Sequence, residues 1–217
     1  MSNTLKSLLI QSDFDGTLTD YDVSFQILDE YVGPSWRDQL TDYLEGKISV
    51  NQFNASVFGR VSESREALDA FVRKTALIRP GLTELIMTCR ELGYRFVIVS
   101  NGMLFYIETI LRMLGLSGIE FYAAKANFLH NRIEAWYEDP NGNKLEQGFK
   151  ESYTRLFLAQ GYEVVYLGNG ISDFAPARLC HHIFSTDSLT KKCKEEKVRH
   201  THFESLQEII DGIKTLR

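Results

Sequence analysis

The chain has 217 residues, 44% hydrophobic and 24% charged, which is ordinary for a globular protein with one substantial core. A net charge of −5 argues against nucleic acid or an anionic membrane as the main partner, and no apolar run reaches membrane-spanning length. The three scattered cysteines form no disulfide framework or structural zinc motif. With an N-terminal apolar run too short for a signal peptide, these features predict a cytoplasmic protein.

The first predicted element is a buried strand at residues 8–10 that ends in two acids, Asp13 and Asp15, before Gly16 turns the chain away. In open α/β sheets, ligands bind at the carboxyl ends of strands. Two carboxylates at such an end are costly to desolvate unless a cation shares them, and hard oxygen ligands suit Mg²⁺. The stretch therefore indicates a nucleophile and an acid/base beside Mg²⁺, although two acids in this spacing also suit a polar turn.

A helical insert follows the first strand. Apolar residues recur at helical spacing in four stretches between residues 21 and 76, with Gly33-Pro34 as a break and Ser49 as an N-cap. Because no strand falls among them, they predict a small helical bundle. We therefore assign residues 21–76 to a helical cap domain and residues 1–20 and 77–217 to an α/β core domain.

Helices and strands alternate after the insert. The continuous apolar run at 96–99 is typical of a strand buried on both faces, and His130-Asn131 is predicted to lie in the turn of a hairpin. Further strands are predicted at 121–124, 164–167 and 182–184. This order predicts a doubly wound parallel sheet with the cap spliced in after strand one.

Polar groups follow three of the predicted strands, at ends that share one edge of a parallel sheet. These groups, with a lysine that opens the helix before the third strand, are Asp13, Asp15, Ser100, Asn101, Lys150, Asn169 and Asp173. A carboxylate nucleophile, a hydroxyl with nearby amides, a lysine and a metal are what phosphoryl transfer requires, because that chemistry is mostly positioning and charge neutralisation.

The four motifs resemble those of the haloacid dehalogenase superfamily, specifically its phosphatases. They are DFDGT at 13–17, SNG at 100–102, Lys150, and GNGISD at 168–173. Their order and spacing extend over nearly the whole chain, and the helical insert resembles the first cap type of that superfamily. The resemblance implies a Rossmann-like α/β fold, a small phosphate ester as substrate and Mg²⁺ as cofactor.

The resemblance also implies residue roles. Asp13 would attack phosphorus and form an aspartyl-phosphate, and Asp15 would protonate the leaving oxygen and then activate water. Ser100 would hold the phosphate together with the amides of Asn101 and Gly102. An acid at position 15 argues against a dehalogenase, whose pattern lacks one there.

The remaining matching residues concern charge and metal. Lys150 would neutralise Asp13 and the phosphoryl oxygens. Asp13, Asp15 (through its carbonyl) and Asn169 would contact Mg²⁺, and Asp173 would orient the metal site. The family usually has an aspartate where this chain has Asn169, so we predict weaker Mg²⁺ binding. The same departure leaves open a non-catalytic phosphate-binding protein, and a phosphotransferase is a further alternative.

Specificity is expected to come from the cap. Asp22 is predicted either to face a substrate amine or to stabilise a helix start, and Arg60 is predicted to be a basic cap residue or a solvated surface arginine. The segments FGRV, KTALIRPGLTELI and FSTDSLTKKCKEE most resemble the phosphoserine phosphatase-like branch, closest to the methionine-salvage phosphatases that act on a methylthiopentenyl enol-phosphate. The DFAP run at 173–176 is also similar to phosphoethanolamine/phosphocholine phosphatases.

Overall fold

The computed structural model describes residues 7–130 and 132–216; residues 1–6, Asn131 of the predicted hairpin turn, and Arg217 lie outside the described residues. Within these ranges, eight strands form one sheet in the order β5-β4-β3-β2-β1-β6-β7-β8. The strands are β1 (Leu8–Ser12), β2 (Arg95–Met103), β3 (Glu120–Leu129), β4 (Arg132–Glu138), β5 (Lys144–Leu145), β6 (Glu163–Gly168), β7 (His182–Ser185) and β8 (Thr201–His202).

The sheet is parallel from β3 to β8, with β1 near its middle. Ile10 of β1 lies opposite Phe96 of β2 on one side and Val165 of β6 on the other. All five residues of β1 are buried, because a central parallel strand is covered on both faces. This arrangement confirms the predicted α/β fold class.

Helices connect these strands and pack against the sheet. They are α1 (Val23–Tyr31), α2 (Arg37–Leu44), α3 (Val50–Phe58), α4 (Arg65–Thr75), α5 (Leu82–Glu91), α6 (Leu104–Met113), α7 (Phe149–Ala159), α8 (Phe174–Ala177), α9 (Asp187–Glu195) and α10 (Leu206–Ile213). In the parts of the chain described here, none of these helices has the length and apolarity needed to cross a membrane.

Four helices, α1 to α4, lie where the insert was predicted to be helical. Ser49 caps α3 as predicted: its hydroxyl accepts from the Gln52 amide at 3.2 Å, and the Gln52 side chain accepts from the Ser49 amide at 2.9 Å. Buried side chains of the insert, including Trp36 and Phe53, belong to the same apolar cluster as the sheet residues. The division into a cap and a core domain therefore stays a prediction.

The hairpin and the second strand are longer than predicted. β3 runs on to Leu129 and pairs antiparallel with β4, and α3 packs on β4. β2 continues through Ser100 and Gly102 to Met103, with a register shift against β3 after Val99. The two-residue strands β5 and β8 were not predicted, because two residues carry no detectable periodicity.

Candidate active site

A cavity of about 320 Å³ lies at the carboxyl ends of β1, β2 and β6. Eight of the nine predicted site residues line it, namely Asp13, Asp15, Asp22, Ser100, Asn101, Gly102, Lys150 and Asn169. The ninth, Asp173, lies behind Lys150, outside the cavity lining. The residues that follow β1, β2 and β6 therefore lie together as predicted, since parallel strands bring their ends to one edge.

Lys150 joins two acids beneath the cavity. Its ammonium lies 2.8 Å from Asp13 Oδ1 and 2.6 Å from Asp173 Oδ1, and its side chain is only 3% exposed. Asp13 follows β1 directly, and its amide donates to the Leu167 carbonyl of β6 at 2.9 Å. The carboxylate of Asp13 is thus fixed between β6 and the first turn of α7, which begins at Phe149.

The carboxylate of Asp173 is fully occupied by protein donors. In addition to Lys150, Oδ1 accepts from the Tyr166 hydroxyl at 2.7 Å. Oδ2 accepts from the amides of Asn169 at 3.1 Å and Gly170 at 2.8 Å. Asp173 therefore orients Lys150 and the loop after β6, and its predicted contribution to a metal site could act only through these partners.

Asp15 is also held on both oxygens. Oδ1 accepts from the Val23 amide at 2.9 Å, and Oδ2 accepts from the Tyr106 hydroxyl at 2.5 Å. The same hydroxyl lies 2.8 Å from Ser24 Oγ on α1. Tyr106 was not among the predicted site residues, because a fully buried tyrosine on an apolar helix face has the sequence pattern of a core residue.

The site carries more negative than positive charge. Burial raises the pKa of Asp15 to about 8, and the nearby charge of Asp22 adds to this effect. Burial, with Asp173, raises the pKa of Asp13 to about 7 against the opposing effect of Lys150. Burial also raises the pKa of Asp22 to about 7. Since Lys150 is the one basic side chain among the described residues that line the cavity, a further cation would stabilise the ionised acids.

The oxygen atoms present fit Mg²⁺. Asp13 Oδ1 is buried and has no hydrogen-bond partner among the described residues, although the Lys150 ammonium lies beside it. Asn169 Oδ1 accepts from the Thr17 hydroxyl at 3.0 Å, which leaves its second lone pair available. No three His, Cys, Asp or Glu side chains converge as a metal site within residues 7–130 and 132–216. An ion here would therefore depend on amide and carbonyl oxygens as well as on Asp13.

Contacts from the insert and the hairpin hold the segment of residues 100–102. Ser100 Oγ accepts from the Gly102 amide at 3.1 Å. The Asn101 carbonyl accepts from the Tyr137 hydroxyl at 2.5 Å and from Asn54 Nδ2 at 2.9 Å. Asn54 and Tyr137 were missed by sequence reasoning, because nothing in the sequence links them to residue 101. Their bonds fix the direction of the peptide that was predicted to bind phosphate.

The wall of the cavity that the insert supplies is mainly apolar. Asp22 also lines the cavity, and it caps α1 by accepting from the Phe25 amide at 3.0 Å. Its position therefore fits both predicted roles, facing a substrate amine and stabilising a helix start. Arg60 is exposed, donates to Ser35 Oγ at 2.5 Å and does not line the cavity, as expected of a surface arginine. The apolar wall consists of Phe25, Leu40, Tyr43, Leu44, Val50 and Phe53.

A sequence profile of the haloacid dehalogenase-like hydrolases matches residues 10–178. The chain belongs to this family. This haloacid dehalogenase-like hydrolase is 27% identical over 209 residues to a 2-hydroxy-3-keto-5-methylthiopentenyl-1-phosphate phosphatase of Brevibacillus brevis, with 94% of each chain covered. It is 29% identical to the protein of the same name from Bacillus velezensis, with 96% of this chain and 90% of that protein covered.

Solved structures show the same fold. A phosphoserine phosphatase structure, described as a phospho-aspartyl intermediate analogue, superposes with a TM-score of 0.72 at 19% identity, covering 95% of this chain and 99% of that one. A substrate-bound phosphoserine phosphatase complex gives a TM-score of 0.72 at 18% identity, with coverages of 96% and 99%. The predicted membership of the haloacid dehalogenase superfamily and the predicted fold are confirmed.

We expect Gly102→Ala to reduce activity sharply. A Cβ at this position would overlap the Tyr106 hydroxyl and the Asp15 carboxyl group, and displacing a reacting group by about 1 Å costs roughly 100-fold in rate. Measured kcat should fall by roughly that factor on a phosphate ester. Gly118→Ala, whose added Cβ meets no atom within 4 Å, is the control; equal activity of the two variants would contradict the prediction.

Proposed function

We propose that this haloacid dehalogenase-like hydrolase is a Mg²⁺-dependent phosphatase of small phosphomonoesters that acts through an aspartyl-phosphate on Asp13. The observation that supports it best is the buried Asp13–Lys150–Asp173 group beside Asp15 at the floor of the cavity. It combines a carboxyl group held beside the Lys150 ammonium with a separate carboxyl group, Asp15, whose pKa burial raises to about 8. Two acids with different environments and different roles are a recurring pattern in acid–base catalysis.

In the first step, a carboxylate oxygen of Asp13 attacks the phosphorus atom. The ester P–O bond breaks, and the leaving oxygen takes the proton of Asp15, so that an alcohol or enol departs and an aspartyl-phosphate remains. Lys150 neutralises charge on Asp13 and on the phosphoryl oxygens. Ser100 and the amides of Asn101 and Gly102 hold those oxygens.

In the second step, water attacks the phosphorus of the aspartyl-phosphate. Asp15, now ionised, accepts a proton from that water, and the bond between phosphorus and the Asp13 oxygen breaks. Inorganic phosphate is released, and both carboxyl groups return to their starting protonation states. One proton is thus given and recovered by Asp15 in each turnover.

We place a bound Mg²⁺ on the Asp13 side chain, the Asp15 carbonyl and the Asn169 side chain, where it would neutralise charge on the phosphate oxygens. Asp173 supports this site by fixing Lys150 and the Asn169 amide. Because Asn169 would supply an oxygen without a negative charge, it would hold the ion more weakly than an aspartate.

We further propose that the organic group of the substrate is uncharged and partly apolar. We also propose that the enzyme is cytoplasmic. The two relatives from Brevibacillus and Bacillus carry the name of a methylthiopentenyl phosphate phosphatase, and the apolar wall of the cavity fits such a group. A substrate carboxylate would find no free cation there, since Lys150 is the one basic lining residue among those described and already pairs with Asp13 and Asp173.

A non-catalytic phosphate-binding role is the second candidate, and the one observation that favours it is Asn169 in place of an acid. A protein with this non-catalytic role would bind a phosphate ester tightly and release no inorganic phosphate.

The first test is phosphate release from p-nitrophenyl phosphate across a Mg²⁺ titration. We expect Mg²⁺-dependent turnover that falls at least about 1000-fold in Asp13→Asn, because the amide cannot attack phosphorus. Asp211→Asn, an exposed change of the same kind on α10, should leave the rate unchanged. Binding without turnover at any Mg²⁺ concentration would favour the non-catalytic role.

Asn169→Asp should lower the Mg²⁺ concentration needed for half-maximal activity by about tenfold, because ligand charge strengthens binding of hard cations. The new carboxylate can still accept from the Thr17 hydroxyl, so the local contacts are kept. Asn141→Asp adds the same charge at an exposed turn and should change nothing. An unchanged or higher Mg²⁺ requirement in Asn169→Asp would contradict this prediction.

We expect kcat/KM for a methylthiopentenyl-type enol-phosphate to exceed that for phosphoserine by roughly 100-fold or more, because the phosphoserine carboxylate would be desolvated without a partner. Leu44→Arg places a cation at the mouth of the cavity, where Leu44 is 58% exposed, and should narrow this ratio. Leu129→Arg, on an exposed residue outside the cavity lining, is the charge-matched control. A wild-type preference for phosphoserine would reject the proposed substrate class.

A further inference from the structure

We infer that Tyr106 is a positioning residue for Asp15, at the centre of a hydroxyl chain that links the acid/base group to the first helix of the insert. The inference rests on the proposed function, since it concerns the proton that Asp15 gives to the leaving oxygen. The chain consists of Ser24, Tyr106 and Asp15, joined by contacts of 2.8 Å and 2.5 Å.

Both oxygens of the Asp15 carboxyl group are held by hydrogen bonds in this arrangement. Tyr106 donates to Oδ2, and the Val23 amide donates to Oδ1. Two opposed hydrogen bonds define the plane of a carboxyl group, and general acid catalysis requires that plane to face the departing oxygen. The orientation of Asp15 therefore depends on the Tyr106 hydroxyl as well as on the Val23 amide.

The hydroxyl of Tyr106 is itself fixed. Its ring is fully buried and packs edge-on against Phe105 at 5.4 Å between centroids, with Phe14 on another side at 6.5 Å. A side chain on residue 102 would overlap the Tyr106 hydroxyl and the Asp15 carboxyl group, so the glycine there leaves room for their contact. Because packing holds the Tyr106 hydroxyl in place, its hydrogen bond also holds the Asp15 carboxyl group in place.

Both outer contacts of the chain come from the start of α1. Val23 binds Asp15 directly, and Ser24 binds Tyr106; both residues are buried and begin the helix that follows the Asp22 cap. Displacement of α1 would remove one bond from Asp15 and one from Tyr106 at the same time. The position of α1 against the core therefore affects the orientation of Asp15, the proposed proton donor.

A purely structural role for Tyr106 and a role in positioning Asp15 predict different losses of activity when Tyr106 is replaced. A structural role predicts the same loss for every leaving group, whereas a positioning role predicts a larger loss for leaving groups that need a proton. An alkoxide leaving group needs a proton as the P–O bond breaks. In contrast, p-nitrophenolate is a stable anion near neutral pH and can leave with little protonation by a general acid. The quantity to measure is kcat/KM, because it reports the steps up to aspartyl-phosphate formation and excludes hydrolysis of that intermediate.

The test compares wild type and Tyr106→Phe on a primary alkyl phosphate and on p-nitrophenyl phosphate at saturating Mg²⁺. We expect kcat/KM to fall by roughly 10- to 100-fold for the alkyl ester and by less than about threefold for the nitrophenyl ester, since general acid catalysis contributes about 100-fold or more. Asp15→Asn should show the same selectivity with a larger loss. Tyr153→Phe removes a buried hydroxyl that contacts the Glu138 carbonyl away from Asp15, and should leave both values unchanged.

An equal loss on the two esters, or no loss on either, would overturn the inference. Ser24→Ala provides a second variant if Tyr106→Phe does not fold: a smaller loss confined to the alkyl ester supports the chain, and an unselective loss or none contradicts it. Wild-type protein without turnover of either ester would instead reject the proposed function, and the role of Tyr106 with it.

Discussion

The site depends on one buried ammonium group placed between two carboxylates. Lys150 contacts Asp13 and Asp173 at 2.8 Å and 2.6 Å while only 3% exposed. Burying such charges is costly unless each finds partners of opposite sign and further hydrogen bonds. Here Asp173 satisfies that condition with three additional protein donors. The group therefore holds together the end of β1, the start of α7 and the loop after β6.

The balance of charge explains how an acidic cavity could accept an anionic ester. Asp13, Asp15 and Asp22 all have raised pKa values, and burial is the largest cause of each. Under the proposed function, a protonated Asp15 would remove one negative charge and supply the proton that a leaving oxygen needs. Asn169 carries no charge, and under the proposed function it would bind Mg²⁺ more weakly than an aspartate.

Contacts from the helical insert reach the groups that would perform the chemistry. Ser24 and Val23 act on Tyr106 and Asp15, and Asn54 acts on the peptide of Asn101. The insert therefore does more than cover the cavity with apolar side chains: it contributes hydrogen bonds that hold the Asp15 carboxyl group and the Asn101 peptide. Specificity and catalysis would then share one set of contacts.

The sequence by itself determined the alternation of strands and helices, the helical insert and the polar residues that follow three of the strands. These features have local signals, because apolar runs define parallel strands and polar residues directly after them must meet at one sheet edge. Only the tertiary structure identified Tyr106 and Asn54 as partners of the site, and it placed Asp173 behind Lys150. Tyr106 lies 91 residues from Asp15, and Asn54 lies 47 residues from Asn101. No local pattern distinguishes a buried tyrosine that packs from one that also donates a hydrogen bond, so packing of distant segments alone decided these contacts.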